Sequence, residues 1–271
     1  MGGSKSASRN KRPESRRRNF WDFTGQALPA FFGAPSTQYY FECERRLFVR
    51  YFPGLAGKRL LKTDLWDEAK NTRILIWAAE QKSKVFGIDI SPAIAGEAKA
   101  MFLREKEAGG MIISDVRRIA FKEESFDYLY SMGTIEHFPE HAQAVEECFR
   151  VLHRGGIAMF GVPNKYDPFL RPLLVALLNR LGLYAYGFEK SFSFRKLEKL
   201  LANAGFKVET RTGILFVPGL LRMADLYVYT RYPRASFLFK PLFDFFSFLY
   251  KKFVFLHRHG YLIACVAKKP A

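Results

Sequence analysis

The chain has 271 residues, 49% of them hydrophobic, and carries a formal net charge of +17. That apolar content supports a packed core and excludes global disorder, and the length suits one large α/β domain with an appendage or two small domains. Cys43, Cys148 and Cys265 lie far apart with no CxxC pair, so they form neither a disulfide framework nor a zinc site and point to a reducing compartment.

Residues 1–20 are rich in Ser, Arg and Lys and read as a disordered basic tail. The opening "MGGSKS" fits the N-myristoylation pattern at Gly2 and Ser6, with a polybasic stretch behind it, but a plain basic tail is the preferred reading. No apolar signal region follows, and no uncharged run reaches the roughly 18 residues of a membrane span. A cytoplasmic location is therefore expected. Residues 21–57 mix aromatics with turn residues and read as an N-terminal cap, with a helix over 38–51 that Pro53-Gly54 ends.

From Arg59 the pattern becomes regular. A short strand at Leu60-Leu61 leads through a polar turn into a helix that Asp64 caps and that runs to about Lys82. Strand "KVFGIDI", a helix from Pro92 to about Ala108, and strands "GMIISDV" and "FDYLYSMG" follow. A helix from Pro139 to Leu152 and strand "GGIAMFGVP" come next. Alternation of this kind predicts a parallel sheet with helices on both faces. Beyond Pro163 come an apolar helix ("RPLLVALLNRLGLY"), a helix–strand pair over 191–212, a phenylalanine-dense segment and a closing strand, "YLIACVAKK".

Three strand ends carry acids or a flexible turn. Asp89, followed by Ile90, ends "VFGID"; a carboxylate there accepts both ribose hydroxyls of an adenosine cofactor. Ser91 suits the cap of the next helix, which leaves Asp89 free for a ligand. Asp115 ends the third strand and accepts from an exocyclic amino group, while Val116 offers backbone donors and an apolar face. Ser131, Met132 and Gly133 sit at the fourth strand's cleft end, with Met132 able to pack on an adenine. Glu136 and His137 follow on the loop above, and either serves as general base. Two patterns are set aside. "HFPEH" imitates a zinc motif, but Pro139 interrupts the helix that such a motif needs. "GLAGKR" precedes the first strand, where a phosphate loop would follow it.

Together "VFGIDIS", "SDVRRIAFKEESFDYLYSMGTIEHF", "RVLHRGG" and "GVPN" resemble the class I S-adenosylmethionine-dependent methyltransferases, in the methyltransferase type 11-like branch. The resemblance covers about Arg59 to Pro163 and continues in "LEKLLANAGFKVE". It implies a Rossmann-like, mostly parallel seven-stranded sheet whose last strand is antiparallel. It also implies S-adenosylmethionine as cofactor, with Asp89 on the ribose, Asp115 on the adenine amino group and Met132 at the methionine end. On this reading residues 58–271 form the methyltransferase domain, with 165–190 and 214–257 as substrate-side insertions.

The chain departs from the family at its first loop, where "LKTDLWDEA" replaces an acid followed by G-x-G. The glycines of dinucleotide sites admit a pyrophosphate, and this cofactor has none at that end. Lys62 and the helix start can meet its carboxylate, Asp64 or Glu68 its ammonium, and Thr63 adds a hydroxyl. Which of the four touches the cofactor is left open by the sequence.

The segment from Ala235 to Leu256 and "FLRPLLVALLNRLGLY" are apolar on more than one helix face. With the basic charge they favour a small-molecule or lipid-linked acceptor at an anionic membrane surface, on its cytoplasmic face. A buried substrate-domain core or a dimer interface explains them equally well. A non-catalytic protein binding nucleic acid or a protein through its basic face is the alternative function. No aromatic–basic interleaving marks a strand-binding groove, so nucleic acid is not expected.

Overall fold

The computed structural model describes residues 13–271, with side chains from Arg17 onward. The Gly2–Ser6 pattern and the start of the basic tail lie outside the described residues. In chain order the elements are α1 (Pro13–Ala27), α2 (Pro35–Tyr51), β1 (Arg59–Lys62), α3 (Trp66–Lys70), α4 (Ile74–Glu80), β2 (Lys84–Asp89), α5 (Pro92–Arg104), β3 (Gly109–Ile113) and β4 (Phe126–Met132). Then come α6 (His141–Val151), β5 (Leu152–Pro163), α7 (Arg171–Arg180), α8 (Phe194–Asn203), β6 (Lys207–Ile214), α9 (Gly219–Arg231), α10 (Lys240–Lys252) and β7 (Leu262–Lys268).

The seven strands form one sheet in the order β3-β2-β1-β4-β5-β7-β6. β7 pairs antiparallel with both β5 and β6, and the other neighbours pair parallel. This is the α/β sheet, with its antiparallel last strand, that the sequence predicts. The order reverses at β1, between β2 and β4. Such a switch point opens a crevice beyond the strands' carboxyl ends. The sheet carries a hydrophobic core on each face. One packs against α2, α4, α5 and the accessory helices around Phe48, Leu75 and Tyr130. The other packs against α6 and α8 around Leu129, Val145 and Leu197. Each fully buried Leu or Phe in them contributes about 1.5–3 kcal/mol of transfer free energy.

Three expectations are corrected. Residues 13–20 begin helix α1, so the N-terminal tail does not extend to residue 20 and the cap does not begin at 21. The single helix to Lys82 is two short helices, broken at Arg73, which has a left-handed φ of 61°. Side chains explain the break. Asn71 donates to Asp67 Oδ1 at 2.8 Å, and Glu68 Oε1 accepts from the Leu75 N–H at 2.9 Å, which satisfies the start of α4. Asp64 does not cap α3; Leu65 holds that position, without a side-chain cap bond. The Leu65 side chain lies over β2, where a Cβ on Gly87 would come within 2.2 Å of it. Leucine packing against a strand glycine thus closes the space beneath the glycine-free turn.

Candidate active site

The carboxyl ends of β1, β2, β3 and β4 open into one cavity of about 360 Å³, within the roughly 300–1,000 Å³ typical of small-molecule sites. Thr63, Asp64, Asp89, Ile90, Asp115, Val116, Met132 and Gly133 line it, as do Glu136 and His137. Lys62, Glu68 and Ser131 do not. Lys62 and Glu68 are fully buried behind the first loop, and Ser131 is buried within β4.

Lys62 was expected at a ligand carboxylate, but its ammonium is already committed. It lies 2.9 Å from Asp64 Oδ1, 3.0 Å from Asp67 Oδ2 and 3.3 Å from Glu68 Oε2. Burial alone would lower its pKa, yet Asp64, Asp67, Glu68 and Glu44 hold it well above the ordinary value. Glu44, buried behind it, accepts from the hydroxyls of Tyr130 and Thr72 at 2.7 and 2.5 Å. Four carboxylates therefore share one lysine, and two of their owners, Asp64 and Asp67, line the cavity. The first loop presents carboxyl groups to a ligand, with its cation behind.

Asp89 leaves β2 with one oxygen accepting from the Leu65 N–H at 3.0 Å and the other from the Ser91 N–H at 2.8 Å. Burial pushes its carboxyl up to about 7, against the pull of those two donors. Ser91 caps α5 through Ile94 at 3.2 Å, and Asp22 of α1 reinforces that cap, accepting from Ala93 N at 3.1 Å. Asp115 is gripped by Arg117, whose Nε lies 2.9 Å from Oδ1, and Arg117 also reaches Glu140 at 3.3 Å.

Above β4, Gly133 turns the chain at a φ of 75°, which a glycine adopts without strain. The loop then places Glu136 and His137. His137 Nδ1 lies 2.9 Å from the Phe188 carbonyl. A carbonyl can only accept, so Nδ1 carries the proton and Nε2 keeps a free lone pair. Burial lowers the His137 pKa, which keeps the ring neutral near pH 7. Glu136 is 2% exposed, and its Oε2 has no hydrogen-bond partner among the described residues. Burial, then the neighbouring Glu189, raises its pKa well above the ordinary value, which favours the protonated carboxyl. The other histidine of "HFPEH" turns away: His141 Nδ1 meets the Ile135 carbonyl at 2.8 Å and Nε2 meets Lys190 at 3.2 Å.

Two other walls come from helices in which sequence reasoning named no individual site residue. Helix α1 closes over the crevice, with Arg17 on Glu140 at 3.0 Å and Trp21 edge-on to His137 at 4.9 Å between ring centres. Its basic composition concealed this role. The opposite wall comes from α7 and α9, through Leu174, Val175 and Leu178 and through Met223 and Leu226. Two arginines interrupt that apolar surface. Arg171 is paired with Glu189 and stacked over Tyr261 at 4.0 Å, and Arg222 lies over Tyr40 at 5.2 Å. The available signal was an arginine in the first turns of each mostly apolar helix, apart from the one at its end.

Known proteins resemble this chain in sequence and in fold. Residues 69–160 match the family model of a methyltransferase domain. A Mycolicibacterium smegmatis protein named as a probable S-adenosylmethionine-dependent methyltransferase is 25% identical over 197 residues, covering 70% of this chain and 68% of its own. A ubiquinone biosynthesis O-methyltransferase of Azoarcus is 24% identical over 169 residues, covering 61% and 71%. Among solved structures, a Haemonchus contortus phosphoethanolamine N-methyltransferase, in complex with S-adenosylhomocysteine, superposes with a TM-score of 0.62 at 17% identity, over 94% of this chain and 60% of its own. A Haloferax volcanii methyltransferase solved with the activator Trm112 gives 0.59 at 14%, over 93% and 96%. At such identities these two likenesses show the fold.

Proposed function

The chain belongs to the class I S-adenosylmethionine-dependent methyltransferases, and from that premise we propose that it methylates a hydroxyl or amine on an acceptor with an apolar body, delivered from a membrane surface. The observation that carries this reading is a cavity lined by two unlike groups of side chains. Carboxylates come from the strand ends and first loop, and aliphatic side chains from α7 and α9.

The residues present fit the cofactor. Its methionine end is cationic at the ammonium and the sulfonium, and Asp64 and Asp67 supply the opposing charge. Asp89 stands where ribose hydroxyls would donate, Asp115 and Val116 where the adenine amino group would, and Met132 and Gly133 form the floor between them. Lys62 and Glu68 act from behind, by holding the loop in shape. When bound, S-adenosylmethionine supplies an activated methyl group, so the chain has to orient the acceptor and exclude water. His137 Nε2, unprotonated and oriented by the Phe188 carbonyl, removes the acceptor's proton. Glu136, with its proton retained, donates a hydrogen bond to the acceptor from its unpartnered oxygen.

The surface around the acceptor end supports delivery from a bilayer. Helix α7 is apolar on both sides: Val175 and Leu178 face the cavity, while Leu173, Leu177 and Leu181 are exposed. Phe237, Leu238, Phe245, Phe248 and Phe255 are exposed on and around α10, beside Lys251 and Lys252. These positions are not the buried core of a substrate domain. Aromatic and aliphatic side chains interspersed with lysines suit an anionic interface. No described helix is long and apolar enough to cross a membrane. Flotation with vesicles, together with a search for a lipid-extract component that gains one methyl group, tests the reading. Binding to anionic but not neutral vesicles, with methyl incorporation into an apolar extract, is the expected result. Incorporation confined to water-soluble extracts, with no flotation, would overturn it.

A further inference from the structure

We propose that Arg222, on α9 of the accessory segment, holds the carboxylate of the cofactor's amino-acid end and so takes the role that the first loop cannot give to Lys62. The inference rests on the methyltransferase reading above and names a residue outside the matched methyltransferase region.

Among the described residues, four arginines line the cavity: Arg17, Arg117, Arg171 and Arg222. Three have carboxylate partners within the chain. Arg17 is held by Glu140, Arg117 by Asp115 and Glu140, and Arg171 by Glu189. Arg222 pairs with no carboxylate among the described residues. Its Nη1 donates to the Ser36 carbonyl at 3.1 Å and its Nη2 to Asn71 Oδ1 at 3.4 Å, and its plane lies over the Tyr40 ring. Neutral acceptors leave the guanidinium charge uncompensated in a half-buried wall, the condition under which a ligand carboxylate adds a strong charge-assisted bond.

Its position along the wall is also defined. From Asp89 a chain of contacts runs through the Leu65 N–H to the first loop, where Asp64 and Asp67 share Lys62. Asp67 Oδ1 accepts from Asn71, and Asn71 Oδ1 lies next to Arg222. The ribose acid, the ammonium acids and Arg222 therefore follow one another along one edge of the cavity, in the order in which ribose, ammonium and carboxylate occur in the cofactor. Asn71 stands between Asp67 and Arg222 and keeps the two charges from cancelling each other. Helix α9 is fixed for this purpose by Asp225, which is fully buried and accepts from the Ser36 N–H at 2.8 Å.

Equilibrium binding of S-adenosylhomocysteine and of its decarboxylated analogue, without acceptor, tests the assignment. The wild-type chain should prefer the carboxylate-bearing ligand by about 10- to 100-fold, and Arg222→Met should abolish the preference by weakening that ligand alone. Unchanged binding of the decarboxylated analogue also certifies that the variant is folded. Arg222→Lys keeps the charge without the fork and should restore about a third or less of the lost preference on a logarithmic scale. Equal weakening of both ligands, or of neither, overturns the role of Arg222. Failure of the wild-type chain to bind either ligand overturns the methyltransferase reading itself.

Discussion

The sheet-side wall of the cavity and the helical wall opposite are built from different material. Asp64, Asp67, Asp89 and Asp115 stand on or just past the ends of β1, β2 and β3, their orientations set by backbone N–H groups and one buried lysine. The wall from α7 and α9 offers aliphatic side chains and two arginines on helices that also expose leucines, a methionine and a tyrosine to solvent. The first wall matches a ligand of fixed polarity and shape, and the second a ligand that is mostly apolar. Strand ends are rigid and repeat from fold to fold, so cofactor chemistry resides there, while the accessory helices are where acceptor preference can change.

Removal of the lysine behind the sheet-side wall should have the largest effect. Lys62→Met leaves the buried carboxylates of Glu44, Asp67 and Glu68, and the half-buried one of Asp64, with no cation, and should destabilise the chain by roughly 3–5 kcal/mol in denaturant unfolding. A loss below about 1 kcal/mol would mean that the carboxylates are protonated in the resting protein and that Lys62 is not their counter-ion. Next in size is the residue proposed as the base. His137→Gln should lower kcat about 100-fold or more while leaving S-adenosylhomocysteine affinity unchanged. Parallel losses of kcat and affinity would assign His137 to the cofactor side.

The mildest perturbation is a change of pH, which separates the walls by their charge. Asp89 has a folded pKa of about 7 against 3.8 in the unfolded chain. It keeps its proton longer when folded, so its contribution to stability is full below 3.8 and is lost as pH rises through about 7. The ligand-free melting temperature should therefore fall between about pH 4 and pH 7, and the stabilisation from added S-adenosylmethionine should grow over the same range, because ionised Asp89 is the better acceptor. Asp89→Asn should flatten both trends; persistence of the slopes would place the titration on another carboxylate.

The first loop shows where sequence reasoning reached its limit. "KTDLWDE" is legible as polar and charge-matched, and its carboxylates do face the cavity at Asp64 and Asp67. Lys62, however, follows Leu60 and Leu61 into the sheet and points behind the loop, because its carboxylate partners lie there. Spacing along the chain gives no sign of that inversion. Glu68 likewise looked available for a ligand, yet it caps α4 across a break at Arg73.

By itself, then, the sequence determined the alternating α/β order, the acids that end the second and third strands and the His-Glu loop after the fourth. Local periodicity and strand-end position decide those features. Tertiary structure alone decided that α1 closes the crevice, that Lys62 faces inward, and that Arg222, some 150 residues from the first loop in sequence, stands beside Asn71. These are long-range contacts, set by how helices pack on a sheet, and their energy comes from burial and charge pairing that no local pattern records.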